Sequence, residues 1–252
     1  MAKKIDLTAA KNGILALQGQ VAINKTQNGQ VVYSTANQQN NEIVYNTITT
    51  PRGGQYYLVL ADGSKVWLNS ASSITFPTSF KGDKRLVSFT GNVIFKPVHN
   101  AKMPFYASVR GQQTKDIATE FEINAYDDEP VIKTTLLEGS IQVTAKGKSV
   151  MLKPGQQSTL QSNNLSVEAG DVKEAFAWRD GLLRCDNDDI QTIMRKISRW
   201  YDVDVVYQGK VTNERYLIII SRYKNISQAL NMLEYSNTVH FKIEGRRVTV
   251  IQ

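Results

Sequence analysis

Residues 49–80, TTPRGGQYYLVLADGSKVWLNSASSITFPTSF, constrain the fold more than any other stretch of the chain. Tyr56-Tyr57-Leu58-Val59-Leu60 and Lys65-Val66-Trp67-Leu68 are short runs rich in β-branched and aromatic residues, which suit a pleated, half-buried strand. Between them stands Ala61-Asp62-Gly63-Ser64, and an Asp-Gly pair accepts the positive φ angles of a tight hairpin turn. Pro51, Gly53 and Gly54 punctuate the approach. Residues 69–73 then turn the chain into a third strand, Ile74-Thr75-Phe76, stopped by Pro77. These residues predict the first hairpin of an all-β domain.

Strand signals continue from there to about Val167. Arg85-Leu86-Val87-Ser88-Phe89 and Asn92-Val93-Ile94-Phe95 flank Thr90-Gly91. Further runs lie at residues 105–109, 121–126, 131–137, 140–144, 148–152, 157–160 and 165–167, with Glu138-Gly139 and Pro154-Gly155 as turns. Short, regular strands without a helical period indicate a sandwich, a barrel or a solenoid, and periodicity does not choose among them. Residues 1–48 are weakly patterned: 14–17, 21–23 and 31–33 read as short strands, and 37–41 as a mobile polar tip.

The pattern changes after Ala175-Phe176-Ala177-Trp178-Arg179-Asp180-Gly181, where Trp178 reads as an aromatic anchor at a domain junction. Ile190, Ile193, Met194, Ile197, Trp200 and Tyr201 recur at spacings of three and four, an amphipathic helix with Asp186, Asn187 and Asp188 as cap candidates. Strands follow at 203–207 and 215–220, then a helix over 227–235 burying Ala229, Leu230 and Leu233, then a hairpin of 239–243 and 248–251 around Glu244-Gly245-Arg246. The order β-α-β-β-α-β-β predicts a compact α+β module with two helices on one sheet.

Composition narrows the function. The net charge of +7 is spread, +5 over residues 1–179 and +2 over 180–252, whereas a nucleic-acid binder concentrates basic residues on one face. A single cysteine, Cys185, excludes an internal disulfide, and His99 and His240 stand apart from any metal-ligand spacing. No apolar run approaches the roughly 20 residues needed to span a bilayer, and no secretory signal opens the chain.

Several of these segments carry a resemblance. Pro51-Arg52-Gly53-Gly54, the core running from Leu58 to Ser72 through Asp62-Gly63-Ser64 and Val66-Trp67-Leu68-Asn69, and the exit Phe76-Pro77-Thr78-Ser79-Phe80 resemble the FecR family of sigma-factor regulators in its Bacteroidetes form. Phe89-Thr90-Gly91-Asn92-Val93-Ile94-Phe95 is similar to a family step that usually has an acid at the Asn92 position. Lys102-Met103-Pro104-Phe105, residues 134–143 and residues 152–157 extend the likeness, and residues 179–252 resemble the small domain shared by secretins and TonB-dependent transducers, an STN-like domain.

The resemblance implies a mainly-β chain: a membrane-proximal extension over 1–48, a rolled, solenoid-like β domain over 49–178, and an STN-like α+β domain over 179–252. It further implies the periplasmic part of a single-pass inner-membrane protein, whose membrane helix and cytoplasmic segment are expected outside this chain. The implied partners are the signalling domain of an outer-membrane TonB-dependent transporter, an extracytoplasmic-function sigma factor reached through the cytoplasmic segment, and a regulatory protease. Neither nucleic acid nor cofactor is expected, and no enzymatic activity.

Chemistry is conceivable at one place. Some family members break their backbone at a Gly-Thr bond, where the Thr hydroxyl attacks the preceding carbonyl of a strained peptide. Here the matching pair is Ala118 and Thr119, and the Ala118 Cβ restricts the dihedrals that Gly allows; an ordinary strand threonine is the alternative. Asp127-Asp128-Glu129 lacks the alternating oxygens of a calcium loop and reads as a solvated turn. Arg52-Gly53-Gly54 is too short for a phosphate loop. As partner-binding candidates, Tyr216, Leu217, Ile218 and Ile219 form an uncharged apolar strand, suited to the core or, at a sheet edge, to pairing with a partner's strand. Trp200 and Tyr201 pose the same choice. A carbohydrate-binding β module, with Trp67, Tyr56, Tyr57 or Tyr106 as stacking platforms, is a reading of a different class.

Overall fold

A computed structural model describes residues 5–7, 9–18, 21–35, 43–117 and 119–251. The chain opens with β1 (Gly13–Gln18), β2 (Val21–Lys25), β3 (Val31–Thr35), β4 (Tyr45–Thr49), β5 (Tyr56–Val59), β6 (Lys65–Leu68) and β7 (Ser73–Pro77). It continues through β8 (Arg85–Lys96), β9 (Phe105–Val109), β10 (Gln112–Asp116), β11 (Glu120–Ala125) and β12 (Ile132–Glu138). Then come β13 (Ile141–Ala145), β14 (Lys148–Leu152), β15 (Gln156–Gln161) and β16 (Asn164–Ala169). Helix α1 (Val172–Ala177) and a 3-10 turn, Trp178–Asp180, lead to β17 (Leu182–Asp189), α2 (Ile190–Tyr201), β18 (Asp204–Gln208), β19 (Arg215–Ser221), α3 (Ile226–Glu234), β20 (His240–Glu244) and β21 (Arg247–Ile251).

The expected hairpin is β5–β6, with Tyr57 opposite Trp67. Its tip is a three-residue loop: the Leu60 N–H donates to the Ser64 carbonyl (2.8 Å), the Gly63 N–H to the Leu60 carbonyl (2.9 Å), and Gly63 sits at φ 84°. Asp62 accepts from the Ser64 N–H (3.0 Å) and also pairs with the buried Arg85 guanidinium, whose Nε donates to the Met103 carbonyl (2.7 Å). The hairpin tip is thus tied to the start of β8.

Residues 85–96 form one strand rather than two runs parted at Thr90-Gly91. The first half of β8 pairs with β7 and, in parallel, with β9; the second half pairs with β6 and β11. The strand bends between the two sheets at Gly91 (φ 81°), where a Cβ would meet Ser72 Oγ at 2.4 Å and Ser72 Cα at 2.8 Å. From β8 one sheet runs out through β6, β5, β3, β2 and β1 on one side and β11, β12, β15 and β16 on the other; β7–β4 and β9–β10–β13–β14 branch from its first half. Phe95 centres the core between them, 5.3 Å from the Phe89 ring, 5.8 Å from Phe105 and 5.4 Å from Phe121. Strands β1 to β3 join this body: β3 pairs with β5, and Val21, Ile23, Val31 and Tyr33 enter the same core. Residues 37–41 lie outside the described residues.

The C-terminal module keeps the order β-α-β-β-α-β-β, but as two small sheets rather than one: β17 with β19, and β18–β21–β20 with β18 parallel to β21. The N-cap of α2 is Asp189, one residue beyond the expected candidates, accepting from the Thr192 N–H at 2.7 Å. The mainly-β chain ending in a small α+β module matches the expected fold class.

Two glycines in left-handed conformations separate steric from backbone cost. At Gly147 (φ 76°) an added Cβ would have nothing within 4 Å, so Gly147→Ala is expected to lose only about 1–2 kcal/mol of backbone preference. Gly91→Ala adds the collision with Ser72, and its Tm should fall by about 6–12 °C, corresponding to roughly 3 kcal/mol. Thermal melts followed by circular dichroism measure both; equal losses would contradict a tight crossing at Gly91.

Candidate functional site

Strand β19 alternates. Tyr216, Ile218 and Ile220 point into the module core, while Leu217 and Ile219 are 69% and 46% exposed. β17 occupies one edge of β19, and among the described residues no strand pairs with the other. The remaining candidates sit elsewhere. Trp200 is buried with the Arg222 guanidinium 5.1 Å from its ring, and half-buried Tyr201 donates its hydroxyl to the Lys224 carbonyl (3.0 Å). The Tyr216 hydroxyl bonds that of Thr238 (2.8 Å).

Helix α2 joins the module to the β body. Arg199 donates to Asp128 and Glu129 (2.6 Å each) and lies 4.0 Å from the Tyr126 ring centre, while Arg195 grips Glu129 at 2.8 and 3.0 Å. Residues 127–129, expected as a solvated turn, instead present a half-exposed Asp128 and a largely buried Glu129 to these arginines. The 51–54 loop wraps the C-terminal end of α2. The Gly53 N–H donates to the Arg199 carbonyl (2.8 Å), Arg222 donates to the Gly53 carbonyl, and Arg52 reaches Asp204 (3.2 Å). In the sequence these glycines read as punctuation, and their docking role has no local signal. Trp178 is buried against Ile94 of β8 in the module core, and Gln55 donates to its carbonyl (3.1 Å). Arg179 pairs with Glu120, which also binds Lys96 (2.6 Å).

The family model described as "FecR protein" matches residues 46–142, and that described as "FecR, C-terminal" matches residues 182–250. The chain belongs to the FecR family. No curated protein matches it. Two crystal structures of a proposed anti-sigma factor from Parabacteroides distasonis ATCC 8503 share its fold. The 1.65 Å structure has a TM-score of 0.76 at 22% identity, covering 81% of this chain and 98% of that one. The 2.50 Å structure has a TM-score of 0.77 at 22% identity, covering 83% and 99%.

Of the bond singled out by resemblance to self-cleaving FecR proteins, Ala118 lies outside the described residues. Thr119 is buried and donates its hydroxyl to the Asp116 carboxylate. The aromatics proposed as sugar platforms are engaged: the Trp67 ring lies 4.9 Å from Tyr57 and carries the Arg179 guanidinium at 5.6 Å, and Lys115 lies 6.0 Å from the Tyr106 ring. Tyr56 packs against the β core. Among the described residues no His, Cys, Asp and Glu cluster is set to hold a metal.

The junction buries titratable groups. Burial alone would raise the Glu129 carboxyl, but the Arg195 and Arg199 guanidiniums overcome it and hold it below the usual range. Burial pushes the Cys185 thiol up to about 12, far from a reactive thiolate. Burial likewise drives Glu122 to about 8; an Asn92 hydrogen bond and the Lys133 and Lys196 ammoniums oppose the rise, and Glu174 adds to it.

Two outcomes follow from this geometry. Because the folded value of Glu122 is raised, its stabilising protonated form is complete below the unfolded value near 4.5, and stability is lost as pH climbs toward 8. Glu122→Gln should match the parent at pH 4.5 and exceed it by about 2–4 kcal/mol at pH 8.5 in urea unfolding, since each tenfold change in proton affinity is worth about 1.4 kcal/mol. The same difference at both pH values would contradict this. Arg199→Ala strips Asp128 of its guanidinium, leaves the buried Glu129 to Arg195 alone and should cost about 3 kcal/mol, read as a Tm drop of roughly 6–12 °C.

Proposed function

We propose that this chain is the extracytoplasmic part of an anti-sigma regulator whose C-terminal module receives the signalling domain of an outer-membrane TonB-dependent transporter. The observation that carries the reading is the open edge of β19 with Leu217 and Ile219 exposed on its outer face, on a module clamped to a FecR domain. A strand from the signalling domain would extend the β17–β19 pair, its backbone bonding the free edge and its side chains covering Leu217 and Ile219.

Such docking has a physical route inward. α2 packs against β17 and carries Arg195 and Arg199, so a shift of the β17–β19 pair bears directly on their grip on Glu129. Loosening that grip would change how the β body presents itself to a regulatory protease, and cleavage would release an extracytoplasmic-function sigma factor from the cytoplasmic side. The action is recognition and control of access, without catalysis or a cofactor, in the periplasmic domain of a single-pass inner-membrane protein. The proposed anti-sigma role of the P. distasonis neighbours supports the same reading.

The test is biolayer interferometry of the whole chain against the signalling domain encoded beside its gene. Binding in the micromolar range is expected, and Leu217→Lys combined with Ile219→Lys should weaken it at least about tenfold, some 1.4 kcal/mol, with circular dichroism unchanged. No binding, or undiminished binding by the double variant, would count against the proposal.

A further inference from the structure

A cavity of about 380 Å³ lies between the β body and the C-terminal module. The β body contributes outward residues of its middle strands: Asn92 from β8, Glu122 and Asn124 from β11, and Lys133 at the margin from β12. The module side contributes Trp178 and Trp200. On these walls four buried polar atoms of uncharged side chains have no hydrogen-bond partner: Nε1 of Trp178 and of Trp200, and Oδ1 of Asn92 and of Asn124; Nε of Arg184 is also without a hydrogen bond but lies 3.6 Å from the Asp171 carboxylate. Two are donors and two are acceptors. Leaving one such atom unpaired costs about 1–3 kcal/mol, so four gathered around one cavity from separate elements call for a common partner.

Apart from the exposed Lys133 at the margin, the surrounding charges are already matched. Arg195 and Arg199 hold Glu129, Lys196 lies 2.6 Å from both Glu174 and Asp188, and Arg184 faces Asp171 and Asp186. What remains for an occupant is hydrogen-bonding capacity without net charge. Burial keeps the Glu122 carboxyl protonated at neutral pH, which agrees with that character.

We propose that this interdomain cavity binds a small uncharged polyhydroxylated molecule about the size of one sugar ring, held by Trp178, Trp200, Asn92, Asn124 and Glu122. A hydroxyl donates and accepts at once, so neighbouring hydroxyls can meet indole N–H groups and amide oxygens together. The volume stands at the low end of the roughly 300–1,000 Å³ typical of ligand pockets, which suits one ring rather than a chain of them. The four atoms have almost no surface open to the cavity as it stands, so an occupant reaches them only by parting the two walls. Because the walls belong to both domains, an occupant ties them together. The site is independent of strand docking, since none of these five residues belongs to β19.

Trp178 and Trp200 make the protein its own reporter. The whole chain is titrated with D-glucose, D-galactose, D-xylose and myo-inositol, and with D-glucuronate and D-glucosamine as charged analogues, while tryptophan emission is followed. At least one neutral probe should give a saturable change with Kd below about 1 mM, and the charged analogues should bind at least about tenfold more weakly. Asn124→Leu should weaken the neutral probe at least about tenfold by calorimetry. Should that variant fail to fold by circular dichroism, the isosteric Asn124→Asp, with a charge on the cavity wall, should do the same. No saturable response to any neutral probe up to about 20 mM, a purely solvent-filled cavity, would overturn the proposal. So would equal binding of the charged analogues, or variants that bind as the parent does.

Discussion

Strand β8 belongs to both sheets, and its second half must therefore be covered on two sides. Val93 and Phe95 face the β core, while Ile94 faces the other way and joins the core of the C-terminal module. β11 beside it repeats the arrangement, with Phe121 and Ile123 inward and Glu122 and Asn124 outward. A strand buried on both faces loses the polar-out half of its alternation. The module is thus the lid of the sheet as much as an appended domain, and the covered face stays polar where Asn92, Glu122 and Asn124 stand.

That polarity decides what holds the two parts together. Exposed pairs such as Arg246–Asp202 contribute little, because water screens them. The Arg199 guanidinium is different: it is buried, bonded to two carboxylates and stacked near Tyr126, so its partners depend on it far more than an exposed pair would. The 51–54 loop adds contacts at the Arg199 carbonyl and at Val203 just beyond α2, which leaves the C-terminal half of that helix gripped from two sides. A junction of paired charges around a polar cavity is specific in its geometry, yet it lacks the continuous apolar area that would make it permanent.

Residues whose partners are near in sequence are legible; those defined by distant partners are not. The β5–β6 hairpin announces itself through Asp62-Gly63, and α2 through its apolar spacing, because turn chemistry and helical period are local. β10 escapes notice because Gln112-Gln113-Thr114-Lys115-Asp116 has no apolar residue, and its inward Gln112 donates its amide N–H to Thr134 at 2.8 Å, a partner from another strand. The short α1 escapes it because six residues give too little period to see. Gly91 reads as a break because a glycine at a sheet crossing and one at a turn look alike in sequence. Glu129 reads as solvated because its guanidinium partners lie 66 and 70 residues away. The apolar β19 segment offers a choice between core and edge, and its alternation serves both.

The two-stranded β17–β19 pair is the least self-sufficient sheet in the molecule, since a lone ribbon is marginal in water. It stands because Leu183, Cys185, Ile218 and Ile220 bury one face in the module core. Natural edge strands are usually defended by a lysine, a proline or a bulge. β17 has its bulge, between Cys185 and Asp188, but β19 has no charge from Tyr216 to Ile220 and places two aliphatic side chains on its outer face. An edge left undefended on a ribbon that is rigid on its inner side is poorly suited to solvent and well suited to another strand, and the fold places it on the element that leads through α2 to the junction.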